Sequence, residues 1–228
     1  MAKRIFLGLV IAAFAAGGAF AQSNISFGVG TFFTSDFGGG FEFDEVEAGE
    51  ATTVLVRTPT SGFGGQVFVD AFFATMSAGF FSTGGRWEMS EENNLAETFT
   101  PFGEGEGSTV SFTGLELSLM GRVPLVITDA FTLAPMFGIA YRMVLTATSI
   151  MNDDDGTPLI FENPSDFNSF WLRFGLGMDF TVNAGTFLRG TLTYGVRFRN
   201  DFERHAISDG ASGRIGHGFD AMFGIGFR

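Results

Sequence analysis

Between Phe170 and Arg199 the sequence alternates apolar and polar residues twice over, with one short break at Val182-Asn183-Ala184-Gly185. In the first half, Phe170, Leu172, Phe174, Leu176, Met178 and Phe180 fall on every second position, with Trp171, Arg173, Gly175, Gly177 and Asp179 between them. In the second half, Leu188, Leu192, Tyr194, Val196 and Phe198 share one face with Gly190, against Arg189, Thr191, Thr193, Gly195 and Arg197 on the other. A period of two is the signature of strands, not of a helix. The break supplies an Asn and a Gly, which accept positive φ, so the two halves form a hairpin. A strand pair with one greasy face and one face of Arg, Asp, Thr and Gly reads as part of a transmembrane β-barrel, with the greasy side to lipid and the polar side to a narrow lumen.

The N-terminus carries Lys3 and Arg4, an apolar run from Ile5 to Ala16, and Ala19-Phe20-Ala21, the small-x-small pattern before a signal-peptidase cut. Residues 1–21 are therefore expected to be a cleaved signal peptide and residues 22–228 one barrel domain. The run is short of the roughly 20 apolar residues a spanning helix needs, and no later run reaches that length without charges or glycines. The chain has no cysteine, which removes lipid attachment at a cysteine, disulfides, thiolate metal sites and cysteine nucleophiles. Its 33 Gly and 31 Phe are unusual in a chain with an acidic balance, and Phe at that density needs apolar surroundings. The only lysine is Lys3, leaving Arg as the sole strong base beyond the signal segment. No basic patch exists to neutralise phosphates, so nucleic acid is excluded as a partner.

The remaining strands follow the same rhythm. Ile25 to Phe33 places Ile25, Phe27, Val29 and Phe33 against Ser26, Gly28 and Gly30. From Phe63 to Ser82 phenylalanines sit on both phases, so the faces stay unassigned there; a reversal near Asp70-Ala71 splits the run into two strands. Thr109 to Val123 puts Leu115, Leu117 and Leu119 outward and Phe112, Glu116, Ser118 and Met120 inward. After a turn at Ile127-Thr128-Asp129, residues Phe131 to Leu145 alternate with Thr132, Ala134, Gly138, Arg142 and Thr146. Pro135 lacks an N–H and is expected near a membrane boundary or a bulge. Ile215 to Arg228 alternates His217, Phe219, Ala221, Phe223, Ile225 and Phe227 with Gly218, Asp220, Met222, Gly224 and Gly226.

Between these segments lie four polar stretches, Thr34 to Gly62, Thr83 to Ser108, Thr148 to Asn168 and Asn200 to Arg214, which hold twenty of the 25 acidic residues. They alternate with short turns. The expected architecture is all-β: an eight-stranded antiparallel up-and-down transmembrane barrel with four long extracellular loops and three short periplasmic turns. On these features, and on a final amphipathic strand with outward aromatics, the chain resembles the small outer-membrane β-barrel proteins of the eight-stranded OmpA-transmembrane-domain or OmpX type. That signal usually ends on an aromatic residue, whereas here Phe227 is penultimate and Arg228 last. The resemblance implies location in the bacterial outer membrane, lipid and the barrel assembly machinery as partners, and a monomer. It does not select an activity, because the family includes anchors, adhesins, narrow pores and a few enzymes.

A soluble lipocalin-like barrel also alternates, with its greasy face inward. Two features oppose that arrangement. Rows of Phe overfill an eight-stranded lumen, which holds side chains or one small ligand, and the other face carries Gly and Arg rather than Lys and Glu. The expected lumen cluster is Glu116, Arg142, Arg173, Asp179, Arg189, Arg197 and Asp220, either a salt-bridged plug or, from its four arginines against three acids, a constriction slightly favouring anions. Met151 to Glu162 matches an EF-hand loop at Asp153, Asp155, Gly156 and Glu162, but Met151 replaces the first acid, Pro158 interrupts it and no helices flank it. No metal site, cofactor or catalytic set is assigned. His205, beside Asp201, Glu203 and Asp209, is read as solvated rather than catalytic, and Gly103 to Gly107 lacks the strand-to-helix context of a phosphate cradle. The expected role is structural or adhesin-like, through acidic loops that meet an extracellular ligand or divalent cation, without enzymatic activity; the alternative is a narrow channel or small apolar-solute conduit.

Overall fold

The structure, a computed structural model, describes residues 25–37, 40–47, 50–57, 59–86, 88–93, 99–101, 109–150, 158–160, 163–198 and 212–228. The expected signal segment lies outside these. Eight strands form the main body: β1 (Ile25–Phe37), β2 (Thr60–Ala71), β3 (Ala74–Arg86), β4 (Thr109–Arg122), β5 (Phe131–Ile150), β6 (Ser169–Asn183), β7 (Thr186–Arg197) and β8 (Gly216–Phe227). Each pairs antiparallel with its neighbours in chain order, and β8 pairs with β1 from Phe27↔Phe227 to Phe37↔His217, which closes the sheet on itself. Closure removes both sheet edges, and with them the unpaired backbone groups that hydrocarbon cannot satisfy.

The three connections at one end are short, and each has a local cause. At the β6–β7 turn, the Asn183 side chain accepts a hydrogen bond from the Gly185 N–H at 2.9 Å. Between β2 and β3 the reversal falls at Phe72-Phe73, two residues beyond its expected place, with Phe72 in the left-handed region at φ 57°. Between β4 and β5, Pro124 interrupts the ladder before Leu125–Thr128 pairs back onto the start of β5. Pro135 lies one residue beyond the last β4–β5 pair, Met136↔Arg122, where its missing N–H costs no bond to β4, and its carbonyl accepts from Val123.

The greasy faces point outward: Phe27, Val29, Phe137, Phe174, Leu176 and Phe223 are all exposed, Phe223 at 63%. On β5 this outward row runs from Phe131 to Leu145, longer than the Ile25 to Phe37 row on β1. A bulge falls between Val144 and Thr146, where Leu145 is the extra residue. It reverses the expected phase, so Thr146 turns outward onto Thr113 and Ala147 is the buried residue.

The interior holds more Phe than Phe112, the one expected to point inward. Phe32, Phe68, Phe81, Phe112 and Phe187 are buried inside, along with Trp171. Four of them fit because a glycine sits directly opposite on the next strand: Phe32 faces Gly64, Phe68 faces Gly28, Phe81 faces Gly114 and Phe187 faces Gly226. A Cβ built on Gly28 or Gly64 falls 2.3 Å from the facing ring, and on Gly226 2.1 Å. Each of these four rings thus lies across a bare backbone, the cross-strand arrangement in which an aromatic covers a glycine. This also settles the two-phase run: Phe68 and Phe81 point in, Phe63, Phe73 and Phe80 out.

Parts of the polar stretches read as loops are strands. Ser212–Arg214, Gly40–Glu47, Glu50–Arg57, Glu88–Asn93 and Phe99–Pro101 form a second antiparallel sheet in that order. The signal is present in the sequence, where Phe41 and Phe43 alternate with acids and Thr52 to Val56 is largely β-branched.

Candidate functional site

Inside the barrel the charged residues form two rings. The first, toward the short turns, joins Asp70 of β2, Arg122 of β4, Asp179 of β6 and Arg189 of β7. Arg189 donates from Nη1 and Nη2 to the two oxygens of Asp70, both at 2.8 Å, and from Nε to Asp179 at 2.7 Å. Arg122 bridges the same two acids, at 3.2 Å to Asp70 and 2.7 Å to Asp179. Ser26 and Thr75 donate to Asp70 at 2.7 and 2.6 Å. The Arg189 guanidinium also lies over the Phe68 and Phe187 rings, at 4.6 and 5.0 Å.

The second ring, toward the long connections, joins Glu116 of β4, Arg142 of β5, Arg173 of β6 and Asp220 of β8. Arg173 grips Glu116 with two nitrogens at 2.6 and 2.8 Å, a fork geometry that suits a carboxylate. Arg142 reaches Glu116 and Asp220, each at 2.7 Å, and also Thr34. Arg173 meets Asp220 at 3.1 Å. Trp171 lies under both arginines, 4.9 Å from Arg142 and 5.8 Å from Arg173. Above this ring Phe167, carried on the short helical turn Pro164–Phe167, packs on Phe112 at 5.0 Å.

Each ring holds two arginines and two carboxylates, so each is neutral. That arrangement is what burial demands, since an unpaired charge in a low-dielectric lumen is costly while a fully bonded set is tolerated. Of the seven residues expected in the lumen, six divide between the rings. The seventh, Arg197, is buried and sits 3.6 Å from Asp36 near the end of β1.

Sequence reasoning missed Asp70, Arg122 and Asp36. Arg122 shares the phase of Glu116, Ser118 and Met120 and is legible there; the two-phase phenylalanines hide Asp70; Asp36 falls in the polar stretch that begins at Thr34, past the last clear alternation of β1. With these three included, the lumen holds five arginines and five carboxylates among the described residues, so the expected arginine excess, and with it a preference for anions, is absent there.

Outside the rings, His217 lies on the outward face, with its Nδ1 2.6 Å from the Tyr194 hydroxyl, in an aromatic group with Phe37, Phe174 and Phe219. His205 and the acids of Met151 to Glu162 lie outside the described residues, of which that stretch contributes only Pro158–Ile160, paired with the end of β5. Among the described residues no group of three or more His, Cys, Asp and Glu is placed to hold a metal ion.

A closed barrel with an apolar exterior and a charged interior has the construction of a transmembrane barrel. No protein-family model and no curated protein matches the sequence. Among solved structures the chain is similar to the outer membrane protein OprG from Pseudomonas aeruginosa, at 13% identity over 89% of this chain and 94% of that one, with a TM-score of 0.43. It is also similar to the outer membrane protease OmpT from Escherichia coli, at 10% identity over 91% and 97% with a TM-score of 0.44. A third is Ail, the attachment invasion locus protein of Yersinia pestis, solved with the heparin analogue sucrose octasulfate, at 10% over 90% and 99% with a TM-score of 0.38.

Proposed function

We propose that this eight-stranded outer-membrane β-barrel is a structural and surface-interaction protein whose lumen is sealed and whose working surface is its acidic extracellular portion. The observation that carries the reading is the closure of the inward charges on one another. The two rings leave no excess charge inside to select an ion, and they fix the barrel wall from six strands. Most of what is not neutralised lies in the polar stretches, which hold nineteen of the 25 acids besides Asp36. An acidic surface of that kind favours a cationic ligand or a bridging divalent cation over a polyanion, and its attraction is screened by salt.

The test has two parts. In planar bilayers the folded protein should pass no current. Cells carrying it should adhere to a poly-lysine surface in a salt-sensitive way, and replacing residues 88–93 with Gly and Ser should reduce adherence while the barrel keeps its heat-dependent gel migration. Current through the unmodified barrel would sink the sealed-lumen part; adherence indifferent to the acidic stretches would sink the surface part.

A further inference from the structure

We infer that the lumen is closed twice in series, by two independent ion-pair rings with a hydrated polar chamber between them, and that solute passes only when both rings open. The inference rests on the sealed-barrel reading above and deepens it. The rings are six residues apart on two separate strands, from Glu116 to Arg122 on β4 and from Arg173 to Asp179 on β6, which is about 20 Å along each strand at ~3.3 Å per residue. Part of that interval is lined by small inward residues, Gly175 and Gly177 on β6 and Gly138 and Ala140 on β5, which leave room between the larger Met120, Met136 and Met222.

A cavity of about 50 Å³ occupies this interval. One end is lined by Arg189 of the first ring, the other by Glu116, Arg173 and Asp220 of the second. Its sides mix the hydroxyls of Ser77, Ser118, Thr191 and Thr193 with the apolar Phe32, Phe68, Met120, Met136 and Met222; the hydroxyls and the ring charges supply partners for water, and at roughly 10–15 Å³ each the space takes about four molecules. Arg173 Nε is buried and has no hydrogen-bond partner among the described residues, a donor that chamber water satisfies. Because each ring is neutral within itself, opening one leaves no charge imbalance for the other to answer. The rings therefore behave as separate gates and not as one continuous plug.

The rings also suggest how to open them. Removing Arg122 and Asp179 leaves the pair Arg189–Asp70, and removing Glu116 and Arg142 leaves Arg173–Asp220, so neither change strands a lone charge. Phe167 covers the loop side of the second ring, so the variant there also carries Phe167→Ala. The chain has no cysteine, and Ser118→Cys places a single thiol in the chamber wall. The experiment compares Arg122→Ala/Asp179→Ala, Glu116→Ala/Arg142→Ala/Phe167→Ala, and the two sets combined, all in the Ser118→Cys background, reading bilayer current and reaction with a charged water-soluble methanethiosulfonate.

The expected result is an unreactive thiol and no current with both rings intact, a reactive thiol without current when either ring is opened, and current only when both are. Current from a single-ring variant overturns the two-gate inference and leaves the sealed reading standing. Current with both rings intact overturns the sealed reading itself. A combined variant that folds and stays silent also overturns the inference. If the combined variant fails to fold, the single-ring variants decide: a thiol that reacts in both supports two gates, and one that stays unreactive in either overturns them.

Discussion

Arg189 is the residue on which the first ring depends, because one guanidinium holds Asp70, 119 positions away in sequence, and Asp179, ten away. Truncating it leaves two buried carboxylates with only Arg122 between them. Arg189→Ala should therefore destabilise the barrel by about 3–5 kcal/mol, the usual cost of stranding a buried charge. Arg122→Ala should cost less, since both acids keep Arg189. The midpoint of thermal unfolding in detergent, read from gel migration, checks the order. Glycines divide in the same way. Gly226→Ala drives a Cβ to 2.1 Å from the Phe187 ring and should cost about 1–3 kcal/mol by overpacking. Gly65→Ala faces outward with its nearest neighbour 3.9 Å away and should be neutral or stabilising by up to about 1 kcal/mol, since Ala has less freedom to lose in the unfolded chain. Urea unfolding of the two variants side by side separates them.

Among the elements, β5 carries its bulge where one residue too many would otherwise invert a strand. Deleting Leu145 restores unbroken alternation, with Val144 and Ala147 still inward, and should leave a folded, heat-modifiable barrel. Deleting Leu117 from β4 has no bulge to absorb it and turns Ser118, Met120 and Arg122 toward lipid, so that variant should fail to fold. The same elements show what was legible in advance. The β6–β7 hairpin and β8 could be read outright because, Trp171, Phe187 and Met222 apart, they keep their large apolar residues on one phase and Arg, Asp and Gly mainly on the other. The β2–β3 pair could not, because Phe68 and Phe81 point inward over glycines that belong to other strands, and periodicity within one strand carries no record of its neighbour. For the same reason the lumen residues Glu116 and Arg142 were visible singly, while their assembly into rings was not. That needed the register across the closed sheet. The second sheet was missed for a different cause: Phe41 and Phe43 alternate with acids, and a high density of Glu and Asp reads as a solvated connection before it reads as a strand.

For the molecule as a whole, the two outward rows of unequal length set its posture. With strands tilted by about 40°, the thirteen residues from Ile25 to Phe37 on β1 span roughly 33 Å of depth, and the fifteen from Phe131 to Leu145 on β5 roughly 38 Å. A typical outer-membrane apolar band is about 25 Å tall. Both sides overshoot it, the β5 side by more than the β1 side, so the surrounding bilayer cannot suit both at once. Leaning the barrel axis, with local thickening beside β5, relieves the mismatch at a cost of fractions of a kcal/mol per Å. Polarised infrared dichroism of oriented bilayers should show a lean that diminishes as the lipid chains are lengthened. Replacing the outward Leu133 and Pro135 with Ser should bring the axis upright without touching the interior. Membrane thickness thereby becomes a variable that sets how the acidic face is presented: in a thin bilayer the protein displays it obliquely, in a thicker one squarely to the outside.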